Sequence, residues 1–291
     1  MDKPPPYKTG RKTICEFTGQ INLKRLADIV DMYKDRKIAV IIPAFNEAPS
    51  IGRVVSELVD LYRDDLRVID HIIVCDNAST DATAKLARAA GADVVYEPRA
   101  GYGRACLKAL AAVPASDIVL FVDGDYSAHT NDIPYLLEAC ISGNDLVIGA
   151  RVAGRRQAGA LTPHQISGNH FAAWLLRQTW GQPTTDLGPL RAIHFDALQR
   201  LDMAEPTFGW TMEMQAKALQ LRYRVCEVPV STRRRIGVSK VSGTWRGSIG
   251  ATWGILSTYL KIAWREPFIA SQALSNAAHT DHGESSVSCP L

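Results

Sequence analysis

Two aspartates, Asp123 and Asp125, follow an apolar run over residues 118–122 that reads as a buried strand. Residues i and i+2 of a strand point the same way. The two carboxylates are therefore expected side by side at the strand's C-terminal edge, where open α/β sheets bind ligands. A pair of hard oxygen ligands suits Mg²⁺ or Mn²⁺, with water and a diphosphate completing the shell. A solvated Asp-Gly-Asp turn is the other reading of the same residues. Asp76 closes a second apolar run, residues 71–75. Acids at several strand ends repel one another unless a cation or hydrogen-bond donors meet them. That convergence points to a cationic or hydrogen-bonding ligand.

The elements that must position these acids alternate. A continuous apolar strand over 38–42 is followed by Pro43-Ala44-Phe45-Asn46-Glu47 and a helix-spaced series from Ile51 to Tyr62. After the Asp76 strand, turn and N-cap residues 77–81 lead into an Ala-rich helix over 82–90 that stops at Gly91. A short strand over 93–96, a tight Gly101-Tyr102-Gly103 loop and a helix over 104–112 come next. Strands alternating with helices over 38–125 imply right-handed βαβ units and a parallel sheet.

The second half is mixed. Helices are expected over 131–141, 164–180 and 211–221, with strands over 145–150 and 190–193 and alternation over 222–232. Residues 152–163, rich in Gly, Arg and Gln, read as a mobile loop. Residues 233–240 form a basic, glycine-containing loop. A last apolar helix over 249–264 carries Trp, Tyr and Lys/Arg at its borders. That pattern suits a membrane interface, or packing on the core or on a second copy as a homodimer.

Composition sets the class. Of 291 residues, 46% are apolar and 22% charged, which is ordinary for a globular protein. A net charge of +3 gives no reason to expect a nucleic-acid partner. The six cysteines are scattered without a C-x-x-C pair, so neither disulfides nor zinc is expected. Cys75 and Cys226 sit in apolar runs as core residues. A reducing, cytoplasmic location is expected, without a signal peptide or a spanning run. The organisation is read as an N-terminal extension (1–36) with a short helix over 21–33, a main domain (37–243), an apolar helix (244–268) and a disordered tail (269–291).

Residues 41–47, residues 74–81 and Asp123-Gly124-Asp125 together resemble the inverting, GT-A-fold glycosyltransferases of family 2. The closest resemblance is to their polyprenyl-phosphate sugar transferase branch, which is dolichyl-phosphate mannosyltransferase-like. Segments like 186–191 and 235–240 recur in that branch, and the resemblance spans about residues 38–243. It implies a Rossmann-like α/β sheet flanked by helices, with a nucleotide-sugar half (37–130) and a mixed acceptor half (131–243).

The resemblance also implies roles for single residues. Pro43, Ala44 and Glu47 would line the nucleotide pocket, and Asp76 would accept a hydrogen bond from the base. Asp123 would hold ribose or metal, Asp125 the metal, and Gly124 lies between them. Gly101 and Gly103 would admit backbone close to the nucleotide, while Arg99 or Arg104 reach a phosphate. Arg235 and Lys240 are similar to the family's mobile acceptor-loop cations. An inverting transfer to a hydroxyl wants a carboxylate base. Asp186 and Glu213 are the candidates, and an ionised phosphate acceptor would need none.

The implied function is metal-dependent transfer from a UDP- or GDP-sugar to a lipid-phosphate or small-molecule acceptor, with peripheral membrane contact through the last helix. The competing readings are a sugar nucleotidyltransferase and a non-catalytic nucleotide-sugar binding protein. A nucleotidyltransferase wants a Gly-rich cationic loop after the first strand, where Pro43-Ala44-Phe45-Asn46-Glu47 stands. A nicotinamide dehydrogenase wants G-x-G-x-x-G there.

Overall fold

Strand β1 (Ile38–Ala44) is buried along its whole length, and the sheet is built outward from it. A continuous run of branched apolar residues can be satisfied only with a neighbour on each edge and helices on both faces. β2 (His71–Asp76) and β4 (Ile118–Phe121) pair with it in parallel, one on each side. β3 (Asp93–Tyr96) extends the β2 edge, also in parallel. Beyond β4 the sheet becomes mixed. β6 (Arg191–His194) runs antiparallel between β4 and β5 (Leu146–Ala150), and β7 (Val225–Pro229) closes the far edge parallel to β5. The order is β3-β2-β1-β4-β6-β5-β7. The structure is a computed structural model that describes residues 36–61, 68–237 and 245–264.

This order places the topological switch between β1 and β4. The chain leaves β1 outward to β2 and β3, then returns to the other side of β1. A crevice opens at the C-terminal ends of strands that diverge in this way. Helix α1 (Ile51–Asp60) covers one face with Ile51, Val54, Val55 and Leu58, the i, i+3, i+4, i+7 stripe read from the sequence. Helices α2 (Thr83–Ala89) and α4 (Ile133–Ile141) share that face. Helix α3 (Tyr102–Leu110), α5 (Pro163–Trp180), α6 (Phe195–Leu201) and α7 (Trp210–Gln220) cover the other, where Phe121 meets the buried Trp210 at 6.0 Å between ring centroids. Helix α8 (Trp245–Ala263) packs on α7 and α5, starting four residues before the expected 249.

Two expectations change in detail. β4 ends at Phe121, so Asp123 and Asp125 belong to the turn after it and strand alternation does not aim them. Tyr126 takes a positive φ of 67°, and Asp125 accepts the Ser127 backbone N–H, an Asx-type turn just past the strand end. The glycines at 101 and 103 serve protein backbone. A Cβ on Gly103 would lie 1.8 Å from the Glu205 carbonyl oxygen, and the N–H groups of Gly103 and Arg104 donate to the carbonyls of Thr207 and Pro206. Cys75, Cys106, Cys140 and Cys226 are free and buried. The helix expected over 21–33, the tail and Lys240 lie outside the described residues. Among the described residues no helix is long and apolar enough to cross a membrane.

Candidate active site

The crevice at the β1/β4 switch holds a cavity of about 270 Å³. Pro43 and Ala44 line it at the end of β1, Glu47 just after β1, and Asn77 after β2. Gly101 and Tyr102 line it at the start of α3, Asp123, Gly124 and Asp125 after β4, and Arg235 from the loop after β7. Residues more than a hundred positions apart thus meet because each follows the C-terminal end of a strand or the loop beside it.

Asp123 and Asp125 form the polar floor. Asp123 accepts a hydrogen bond from the Tyr102 hydroxyl at 3.1 Å. Asp125 is 4% exposed, accepts the Ser127 N–H at 2.9 Å, and takes Nε and Nη2 of Arg235 on its Oδ2, the Nε contact at 3.0 Å. Burial and the neighbouring Asp125 charge push the Asp123 carboxyl up to about 7, against the opposing pull of Arg235. Burial also penalises the Asp125 charge, but Arg235 and Ser127 outweigh it and hold that carboxyl below its usual range.

The pair fits a divalent cation on this ground: one guanidinium leaves the charge of two buried carboxylates incompletely met. Among the described residues no group of three or more His, Cys, Asp and Glu side chains could hold a metal. The protein therefore offers two carboxylate ligands and leaves the rest to water and phosphate oxygens, as magnesium sites that bind nucleotides do.

The other expected residues sort by position. Asp76 is buried beside the cavity and accepts the Ser79 N–H at 3.0 Å. Asn77 next to it fastens the crossing loop, donating to the carbonyls of Glu97 and Arg99 and accepting from Gly101 N–H at 2.8 Å. Arg99 points to solvent and pairs with Glu97, and Arg104 donates to the Ala100 carbonyl. Neither arginine is among the cavity-lining residues.

Asp186 is fully buried and holds Arg151 through three bonds: backbone N–H at 2.6 Å, Nε at 3.1 Å and Nη2 at 2.7 Å. Glu227 supports it from β7 by accepting the N–H groups of Thr185 and Asp186. Glu213 accepts the backbone N–H groups of Ala204 and Glu205 and pairs with Lys217 at 2.9 Å. It shapes the segment that places Phe208 on the cavity wall. The structure thus brings Pro43, Ala44, Glu47, Gly101, Asp123, Gly124, Asp125 and Arg235 to one cavity, leaves Arg99 and Arg104 outside it, and sets the two base candidates in separate bonded networks.

Three residues with evident roles were not singled out by the sequence reading. Arg151 follows the end of β5, and its charge is felt at both Asp123 and Asp125. Its position one residue past an apolar strand was the available signal. Tyr102 was read only as loop. Arg233 grips Glu57 of α1 with both Nη atoms at 2.9 and 2.8 Å and lies 3.6 Å over the Tyr126 ring. It ties the root of the Arg235 loop to the turn that bears the aspartates.

Comparison with known proteins agrees with this arrangement. The model of the family described as glycosyl transferase family 2 matches residues 39–202. An uncharacterised glycosyltransferase of Mycobacterium tuberculosis is 36% identical over 225 residues, covering 76% of this chain and 98% of its own. A dolichyl-phosphate hexose transferase of Haloferax volcanii is 29% identical over 210 residues, 70% of this chain and 86% of that one. Among solved structures, glucosyl-3-phosphoglycerate synthase of M. tuberculosis, in complex with Mn²⁺, UDP and glucosyl-3-phosphoglycerate, superposes with a TM-score of 0.67 at 22% identity. It covers 86% of this chain and 87% of its own, a likeness of the GT-A fold. From the matched family model and the full-length relative together, the chain belongs to glycosyl transferase family 2.

Proposed function

We propose that the protein transfers a hexosyl group, with inversion, from a nucleoside diphosphate sugar to an acceptor phosphate, using Mn²⁺ or Mg²⁺ at Asp123 and Asp125. The observation that carries this reading is the pairing of the carboxylates. Asp123 and Asp125 face the cavity, whereas Asp186 and Glu213 are spent on Arg151 and on the 204–205 backbone. A hydroxyl acceptor would have to lose a proton to a base. A phosphate acceptor is already ionised, and the lack of a base among these two carboxylates is then no obstacle.

The bound cation would neutralise the leaving diphosphate as a Lewis acid. Asp123 and Asp125 would hold it, with Tyr102 orienting Asp123. Arg235, now paired with Asp125, would be free to meet the phosphates. Arg151, fixed by Asp186, presents positive charge near the floor of the site for the acceptor. The acceptor oxygen bonds to the anomeric carbon, and the bond to the diphosphate breaks with its electron pair. No proton moves. One relative named for a lipid phosphate, the dolichyl-phosphate hexose transferase, supports an acceptor of this class.

The test is a thermal-shift titration of the full chain with UDP, GDP and their sugars, each with and without Mn²⁺. A ligand bound only to the native state raises Tm with the logarithm of concentration over Kd. A manganese-dependent rise with one nucleotide is expected. Transfer from its sugar to a polyprenyl phosphate, with no transfer to the corresponding alcohol, would then support the acceptor. Transfer to the alcohol at an equal rate would overturn that part, and no rise with any nucleotide would overturn the donor.

A further inference from the structure

The acidic residues of this chain are distributed very unevenly. No Asp or Glu occurs between Asp145 and Asp186, nor between Glu227 and Glu266. These two stretches, 78 residues in all, hold 11 of the 33 Lys and Arg and none of the 30 acids. The remaining 213 residues carry 22 cations against those 30 acids. The fold brings the two acid-free stretches together, each running from an arginine loop into a helix. Loop meets loop where the Thr232 N–H donates to the Arg155 carbonyl and the Gln157 N–H donates back to Thr232. Helix meets helix where Thr179 of α5 bonds the Tyr259 hydroxyl of α8 at 2.6 Å and Trp180 meets the Tyr259 ring edge-on.

Both helices leave large apolar side chains in solvent. On α5, Phe171 and Trp174 stack on one another at 49% and 50% exposure. On α8, Trp253, Leu260 and Trp264 are exposed, Trp253 at 70% and Trp264 at 82%. Their spacings of three, seven and four residues set them in stripes along the helices. Exposed tryptophans on helices that carry cations and no acids match the chemistry of the lipid headgroup region, where indole rings sit at the boundary and basic side chains meet anionic lipids.

We infer that α5, α8 and the loop arginines Arg155 and Arg156 before α5 form a docking face for an anionic lipid bilayer. The charge pattern selects this occupant over a second copy, because two such faces apposed would bring cation against cation. The face adjoins the site. Gly254 and Thr258 of α8 pack on Phe208 and Gly209, and Phe208 lines the cavity. The inference goes beyond the donor and acceptor reading and stands on different residues, so either can fail alone.

The experiment is co-sedimentation of the full chain with phosphatidylcholine vesicles and with vesicles containing phosphatidylglycerol, alongside a sedimentation measurement of its mass. Binding to the anionic vesicles that weakens with salt is expected. Trp174→Glu with Trp253→Glu should lower partitioning about tenfold or more. Arg155→Gln with Arg156→Gln should reduce the preference for anionic vesicles. Manganese-dependent nucleotide binding measured on the same variants should be unchanged, which shows that they fold. Absence of binding to anionic vesicles, binding indifferent to the tryptophan pair, or a dimer that those substitutions dissociate would each overturn the inference.

Discussion

Asp125 and Asp186 are both buried carboxylates joined to an arginine, and they are built in different ways. Asp125 sits in a turn on the cavity floor, and Arg235 reaches it from a loop 110 residues away, placing both contacting nitrogens on one carboxylate oxygen. Asp186 lies in a packed segment under β5, where Arg151 uses both oxygens and its own backbone N–H, while Glu227 secures the flanking backbone. Arg235 can leave once a cation takes over the charge of Asp125, which is 4% exposed. Arg151 cannot leave without stranding a charge. Exchangeable pairing belongs where a ligand must enter, and fixed pairing where a cation must be presented in one place.

Substitutions can break that contrast. The largest effect is expected from Asp125→Asn, which removes one of two cation ligands. Transfer should fall by about a thousandfold or more while Tm stays near that of the parent, checked by assay and melting on the same preparation. Asp186→Ala should do the reverse. It leaves the partly buried Arg151 unpaired, at about 3 kcal/mol of stability in urea unfolding. A variant of Asp186 that melts like the parent would remove the distinction.

Arg235→Gln sharpens it further. With the competing guanidinium gone, Mn²⁺ alone should bind more tightly by calorimetry, while the nucleoside diphosphate with Mn²⁺ binds about tenfold to a hundredfold more weakly. The smallest effect concerns the Arg233 anchor. Burial opposes the Glu57 charge, but hydrogen bonds from Arg233, Tyr126 and Thr130 hold its carboxyl down at about 2. Its folded pKa lies below its unfolded value, so the stabilisation is present above about pH 4.5 and drains away as pH falls towards 2. The partial exposure of the pair keeps the effect small. Glu57→Gln should flatten Tm against pH over that window.

The first half of the chain was largely legible because its signals are local. An apolar run ending in an acid needs no knowledge of distant residues to be read as a strand edge, and β1, β2 and β4 place Asp76, Asp123 and Asp125 accordingly. The second half depends on pairings across long stretches of chain. Nothing near Arg151 in sequence reveals that its acid is Asp186, and nothing near Glu213 reveals that its oxygens cap residues 204 and 205. β6 is four residues long and begins with a buried arginine, so its antiparallel insertion beside β4 is set by tertiary packing. Asp123 and Asp125 stand at the edge the sequence points to, but in a turn past the end of β4 and not in the strand itself.

The grip of Arg233 on Glu57 acts as a tether. Two residues of chain span at most about 7 Å, so the Arg235 backbone stays within that radius of the Arg233 backbone, which Glu57 fastens to α1. When Arg235 gives up Asp125 its guanidinium stays within a short arc of the β4 turn. Whatever it next holds must lie in that arc, which a diphosphate seated on the same turn does and a distant end of the donor does not. The leash therefore works as a ruler, measuring from the helix to the charge that the loop is allowed to touch.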